Sequence, residues 1–112
     1  MAKDDMHVVI YKVLTYLYQC LKEGIKPNVY QAQKVCGINA VYWNAVVQDC
    51  IEHKYIAVPF KDPFTETYTE LRITSDGVEY LENAKPMNKV KQFIGKAFEV
   101  VLKNAIEITK LC

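Results

Sequence analysis

Gly37-Ile38-Asn39-Ala40-Val41-Tyr42-Trp43-Asn44-Ala45-Val46-Val47-Gln48-Asp49-Cys50-Ile51 is the stretch whose register decides the architecture. Glycine adopts the left-handed conformation that ends a helix at little steric cost, so Gly37 marks a corner. Ile38 plugs that corner, and Asn39 supplies the cap of a helix over residues 40–53. Along this helix Trp43, Val46, Val47, Cys50 and Ile51 recur at the spacing of one buried face. Upstream, Asn28 caps a short helix over 29–36 with Ala32 and Val35 turned inward. Downstream of Tyr55 the period changes from helical to alternating. Ile56, Val58 and Phe60 point one way, until Pro59 and the polar turn Lys61-Asp62-Pro63 end the run. Residues 67–73 return with Tyr68, Thr69, Leu71 and Ile73, which predicts a hairpin with its loop at 61–66.

Outside this centre the chain is predominantly helical. From Asp4 to Glu23, Met6, Ile10, Val13, Leu14, Leu17 and Leu21 fall at helical spacing. Asp4 or Asp5 caps that helix, and Gly24 with Pro27 ends it. Thr74-Ser75-Asp76 opens a short helix through Val78, Tyr80 and Leu81. Pro86 suits a first helical turn, and residues 86–111 read as one long amphipathic helix. Its solvent face is Gln92, Lys96, Glu99, Lys103, Glu107 and Lys110. The opposite face includes Val90, Ile94, Ala97, Phe98, Val101, Ala105 and Ile108. A straight helix of this length would span ~39 Å, more than a domain of this size needs. Part of its apolar face is therefore expected to project, and those seven residues are the candidate oligomer interface.

Helix, helix, corner, helix and hairpin is the order of a winged helix-turn-helix. The expected fold class is α+β, mostly α: a three-helix core plus a β-hairpin wing, with a long C-terminal helix. It divides into a winged-helix domain over 1–85 and an oligomerisation helix over 86–112. Leu71-x-Ile73-Thr74-x-x-Gly77-x-x-x-Leu81 has the form of the segment that follows the wing in many bacterial winged-helix proteins. The run Ile73-Thr74-Ser75-Asp76-Gly77-Val78-Glu79-Tyr80-Leu81-Glu82-Asn83, followed by Met87 and Lys89-Val90, resembles the YjcQ family of small bacterial and prophage proteins. Gly37-Ile38 and Tyr55-Ile56 support the resemblance, which extends over roughly residues 6–92; the helix beyond Phe93 departs from the pattern. The resemblance implies a winged-helix fold and a regulator, without assigning an activity.

Composition narrows the classes. The chain has 112 residues, 51% hydrophobic and 24% charged, enough for one domain with a proper core and too apolar for disorder. No run approaches the ~18 apolar residues of a membrane span. Acids at Asp4 and Asp5 stand where a secretory signal would need a basic start, so a cytoplasmic, reducing compartment is expected. Cys20, Cys36, Cys50 and Cys112 form no Cys-x-x-Cys pair and no zinc framework; Cys36 and Cys50 read as small core hydrophobes. His7 and His53 stand far from any third ligand, and no cofactor or metal is expected. There is no nucleophile elbow, phosphate-cradling glycine loop or His-Glu metal pattern, so an enzyme is not expected.

Two functions remain open. In a helix-turn-helix the start of the second helix enters the major groove of double-stranded DNA. That places Asn39, Tyr42, Asn44 and Gln48 toward bases or phosphates, with Lys34, Lys61 and Arg72 toward the backbone. A homodimer through the C-terminal helix would present two such helices about one DNA turn (~34 Å) apart. Against this stands the charge: residues 28–83 carry four basic and eight acidic side chains, whereas 84–112 carry six lysines against two glutamates. An acidic middle repels phosphate. The alternative is a winged helix used as a protein-interaction module without DNA. Trp43 reads as core, Asn39 as a cap first, and Asn44 and Gln48 as solvated positions.

Overall fold

The computed structural model describes residues 1–58 and 70–111. Among these, the chain is mostly helical, with six helices and one small antiparallel sheet. The elements are α1 (Met6–Glu23), α2 (Val29–Cys36), α3 (Ala40–Glu52), β1 (Ile56–Ala57), β2 (Arg72–Ile73), α4 (Ser75–Asn83), α5 (Lys85–Ile94) and α6 (Ala97–Lys110). In the sheet Ile56 pairs with Ile73 and Ala57 with Arg72. The hairpin loop expected at 61–66, with Phe60, Lys61, Tyr68 and Thr69, lies outside the described residues, as does Cys112.

Helix α1 is the hub, packed against all five other helices and β2. Val8, Val9, Val13, Leu14, Tyr16 and Leu17 are buried to 1% exposure or less, which uses far more of the helix surface than one stripe. A helix buried nearly all round belongs in the centre of a helical domain. Local signals set the boundaries. Gly24 (φ 70°) and Gly37 (φ 67°) end α1 and α2 in the left-handed region. The Asn28, Asn39 and Thr74 side chains each accept from a backbone N–H in the first turn of α2, α3 and α4.

Thr74 and Gly77 explain the Thr-x-x-Gly spacing of their segment. The Thr74 hydroxyl lies 2.6 Å from the Lys54 carbonyl, donates there, and accepts from the Gly77 N–H. The Thr74 N–H donates to the Tyr55 carbonyl at 3.0 Å. A Cβ on Gly77 would stand 2.3 Å from that same carbonyl oxygen. The N-terminus of α4 thus sits directly on Tyr55, the residue that leads into β1, at a distance only glycine permits.

The C-terminal region corrects the reading of 86–111 as one projecting helix. Gly95 (φ 67°, ψ −175°) separates α5 from α6, and α6 turns back onto α1 and α2. Phe98, Ala105, Ile106 and Thr109 are buried there. A hydrogen-bond chain fastens it: the Thr109 hydroxyl donates to the Ala105 carbonyl at 2.7 Å, leaving a lone pair for the Tyr16 hydroxyl 2.6 Å away. Tyr16 in turn accepts from the Asn28 N–H at 3.1 Å. Lys110 reaches Glu23 of α1 at 3.1 Å and Glu107 at 3.3 Å. Folding back buries much of the apolar face without any partner. The whole measures 40 × 30 × 27 Å.

Candidate nucleic-acid interface

The corner at Gly37 carries the chain from α2 into α3 through Ile38, half-buried against the core. Trp43 (4% exposed), Val46, Val47 and Cys50 hold one side of α3 in that core. The other side is open. Ala40, Val41, Asn44, Ala45, Gln48 and Glu52 are all exposed. At ~100° per residue they form one strip along the helix. Val41 is 82% exposed, a bare β-branched side chain at the start of the helix.

The sequence-derived candidates separate into three groups. Asn44 and Gln48 stand in the strip, where the Gln48 amide donates to the Glu52 carboxylate at 3.3 Å. Asn39, also exposed, caps α3 by accepting from the Tyr42 N–H at 2.8 Å. Tyr42 is directed elsewhere: its hydroxyl donates to the Asp4 carbonyl at 2.7 Å and ties α3 to the segment before α1. Partial burial, then the charges of Asp4 and Asp5, push that phenol above its usual range. Lys34 is exposed with its ammonium 5.4 Å from the centre of the Tyr30 ring. Arg72 is exposed on β2, and Lys61 lies outside the described residues.

The strip bears no cation. Glu52 gives it a negative charge at its far end, Asp49 adjoins it, and the His53 ring lies 3.6 Å from an Asp49 carboxylate oxygen. Beyond this end of α3, His53 stacks on Tyr55 and Tyr55 on Tyr80, with centroids 5.4 and 4.2 Å apart. Val41 and Ala45 were not foreseen as site residues. Their signal was legible: Ala45 lies three residues and Val41 seven residues before Gln48, on the same side of the helix and opposite Trp43 and Val47.

The seven candidate interface residues also divide. Val90, Phe98 and Ala105 are in the chain's own core, and Ile94 is half-buried. Ala97, Val101 and Ile108 are exposed. Val100 (62%) and Leu111 (88%), not foreseen, are exposed beside them. Cys20, Cys36 and Cys50 are buried and unbridged; burial pushes the Cys36 and Cys50 thiols up to about 12. No cluster of three or more His, Cys, Asp or Glu able to hold a metal occurs among the described residues, and no helix there is long and apolar enough to cross a membrane.

These features define a small α+β domain with an exposed strip along α3. A family model described as "YjcQ protein" matches residues 11–99, and the chain belongs to that family. The match continues past Phe93 through the Gly95 reversal into the first turn of α6, further than the resemblance over 6–92. Neither the curated proteins nor the solved structures compared with the chain include a match.

Proposed function

We propose that the chain is a non-enzymatic, cytoplasmic DNA-binding regulator of the winged-helix type. In this reading α2, the Gly37 corner and α3 form the helix-turn-helix, and the paired strands β1 and β2 form the base of the wing. The observation that carries it is the open strip on α3. Asn44 and Gln48 offer paired donors and acceptors suited to adenine, while Val41 and Ala45 offer methyl groups suited to the thymine methyl in the same groove. Trp43 and Val47 hold this helix rigidly from behind, which is what base reading needs. Lys34 and Arg72 supply backbone contacts from the flanks.

Titration of labelled genomic fragments at two salt concentrations tests the proposal. Specific fragments should bind at nanomolar to micromolar level, with affinity falling steeply as salt rises. Replacing Asn44 by Ala should cost about 1–3 kcal/mol on the best fragment and less on unrelated DNA. Absence of any fragment binding at low salt would refute it.

A second reading has its own observation. The strip contains no Lys or Arg but does contain Glu52, and Asp49 adjoins it, so its apolar residues Val41 and Ala45 also suit a protein surface. A partner lost on replacement of Val41 by Glu, with DNA binding absent, would favour an interaction module.

A further inference from the structure

Where the chain reverses at Gly95, α5 and α6 meet the first half of α1 and the end of α2, and a cleft of about 400 Å³ opens between them. Its floor is apolar: Val8 of α1, Val35 of α2 and Phe98 of α6 line it and are 0%, 5% and 8% exposed. Its rim is apolar too, and uncovered. Phe93 and Val101 stand there, before and after the reversal, at 44% and 46% exposure. A mostly apolar space of this size is on the scale of a small-molecule site, well below that of a protein interface.

Two charged side chains line the cleft, and both are lysines, Lys3 and Lys12. Lys12 is the telling one. It is half-buried, yet has no hydrogen bond or ion pair through its ammonium with any described residue. It follows Val8 by one turn of α1, and helical side chains lean toward the N-terminus, so its stem runs over the Val8 floor. Burial pushes the Cys36 thiol up, and the Lys12 charge offsets part of that push, which sets the ammonium near the end of α2. Lys3 is exposed and likewise has no ion pair among the described residues.

A cation drawn half out of water is ordinarily accompanied by an anion. No carboxylate lines this cleft; Glu99 and Glu107 of α6 line a separate groove with Gln19 and Glu23. A neutral apolar compound would leave Lys12 unpaired. A polyanion would lay charge over Phe93 and Val101. One anionic head on one apolar body satisfies both parts of the lining.

We propose that this cleft binds an amphiphilic carboxylate, its apolar body over Val8, Val35 and Phe98 and its head between the ammonium groups of Lys12 and Lys3. The cleft shares no residue with the α3 strip, and its test contains no DNA, so it stands or falls apart from DNA binding.

Calorimetric titration of the full chain with decanoate is the test, with acetate as the head alone and decyltrimethylammonium as the same tail of opposite charge. Decanoate should bind with a dissociation constant of about 10–100 µM. The other two should bind at least about tenfold more weakly. Amide shifts in a nuclear magnetic resonance titration should gather around residues 8–12, 35 and 93–101. Lys12→Met keeps the apolar stem, removes the charge and should weaken decanoate about tenfold or more, whereas Lys12→Arg should retain most of the affinity. Val101→Glu changes an exposed position that leaves the core intact, and its carboxylate at the rim should weaken decanoate to a similar degree. No decanoate binding at millimolar concentration, equal binding of decyltrimethylammonium, undiminished binding by both Lys12→Met and Val101→Glu, or shifts centred elsewhere would overturn the proposal.

Discussion

Gly77→Ala tests the close approach of α4 to the Tyr55 carbonyl. The new Cβ would stand 2.3 Å from the Tyr55 carbonyl oxygen and 2.9 Å from Cγ1 of Ile73. Ordinary carbon-to-carbonyl contacts lie at ~3.3 Å or more, so α4 and the strand after α3 must part by about 1 Å. The obstacle is backbone, which cannot swing aside as a flexible side chain would. Overpacking of this kind costs ~1–3 kcal/mol. Parting also stretches the Thr74 N–H bond to Tyr55 and the Thr74 hydroxyl bond to Lys54, now 3.0 and 2.6 Å, each contributing about 1 kcal/mol. Alanine recovers at most about 1 kcal/mol of helix preference. A net loss of about 2–4 kcal/mol follows from these terms. With a urea slope of ~1–1.5 kcal/mol/M, the midpoint should fall by roughly 2 M. Trp43, the single tryptophan and only 4% exposed, reports the transition by fluorescence. Gly24→Ala is the control, since nothing lies within 4 Å of its Cβ and only its left-handed φ of +70° is strained. A Gly77→Ala protein as stable as the parent, or less affected than Gly24→Ala, would refute the reasoning.

Two further perturbations probe how the parts are fastened. Tyr16→Phe removes the hydroxyl between Asn28 and Thr109, leaving a part-buried N–H and a buried hydroxyl lone pair without their partner. It should cost about 1–3 kcal/mol, and hydrogen exchange should accelerate in α6 before it does in α3. Uniform acceleration across the chain would contradict the role assigned to this contact. The buried thiols make stability pH-dependent in alkali. In the folded chain Cys36 and Cys50 hold their protons to about 12, against 9.0 when unperturbed. A raised native value means the unfolded chain releases its protons first, so stability is full below pH 9 and declines as pH rises from there toward 12. Urea midpoints should be level up to pH 8.5 and fall above it, less steeply once Cys36 and Cys50 are both Ala; an equal slope in that variant would assign the loss elsewhere. Native Cys36 and Cys50 should also resist a thiol reagent at pH 8 and react once urea unfolds the chain.

Where local chemistry suffices, structure and sequence agree closely. Asn28, Asn39 and Thr74 cap the helices they were expected to cap, and Gly24 and Gly37 end theirs. Each of these acts through a partner within about four residues along the chain, so neighbouring letters carry the whole signal. The candidate site was readable in the same way up to a point. The Trp43 stripe determined which side of α3 is inside, and hence that Asn44 and Gln48 are outside. Tyr42 was assigned to a ligand because periodicity places it at the helix start. Its hydroxyl instead serves Asp4, 38 residues away, and no local pattern encodes that.

The sequence by itself determined α1 to α4, the side-chain caps of α2, α3 and α4, the corner before Trp43 and the membership in a family; the Asp5 side chain expected to cap α1 makes no cap hydrogen bond there. Tertiary structure alone decided the course of the chain beyond Phe93. The polar and apolar residues of 86–111 keep helical period across Gly95, and a glycine inside a helix costs only about 1 kcal/mol, so period and propensity do not reveal a break. What breaks the helix is the burial gained when Phe98, Ala105 and Ile106 reach α1 and α2, with Thr109 meeting Tyr16. Hydrophobic periodicity says that a face needs covering; only the placed neighbours say whether the cover is the same chain or another copy of it.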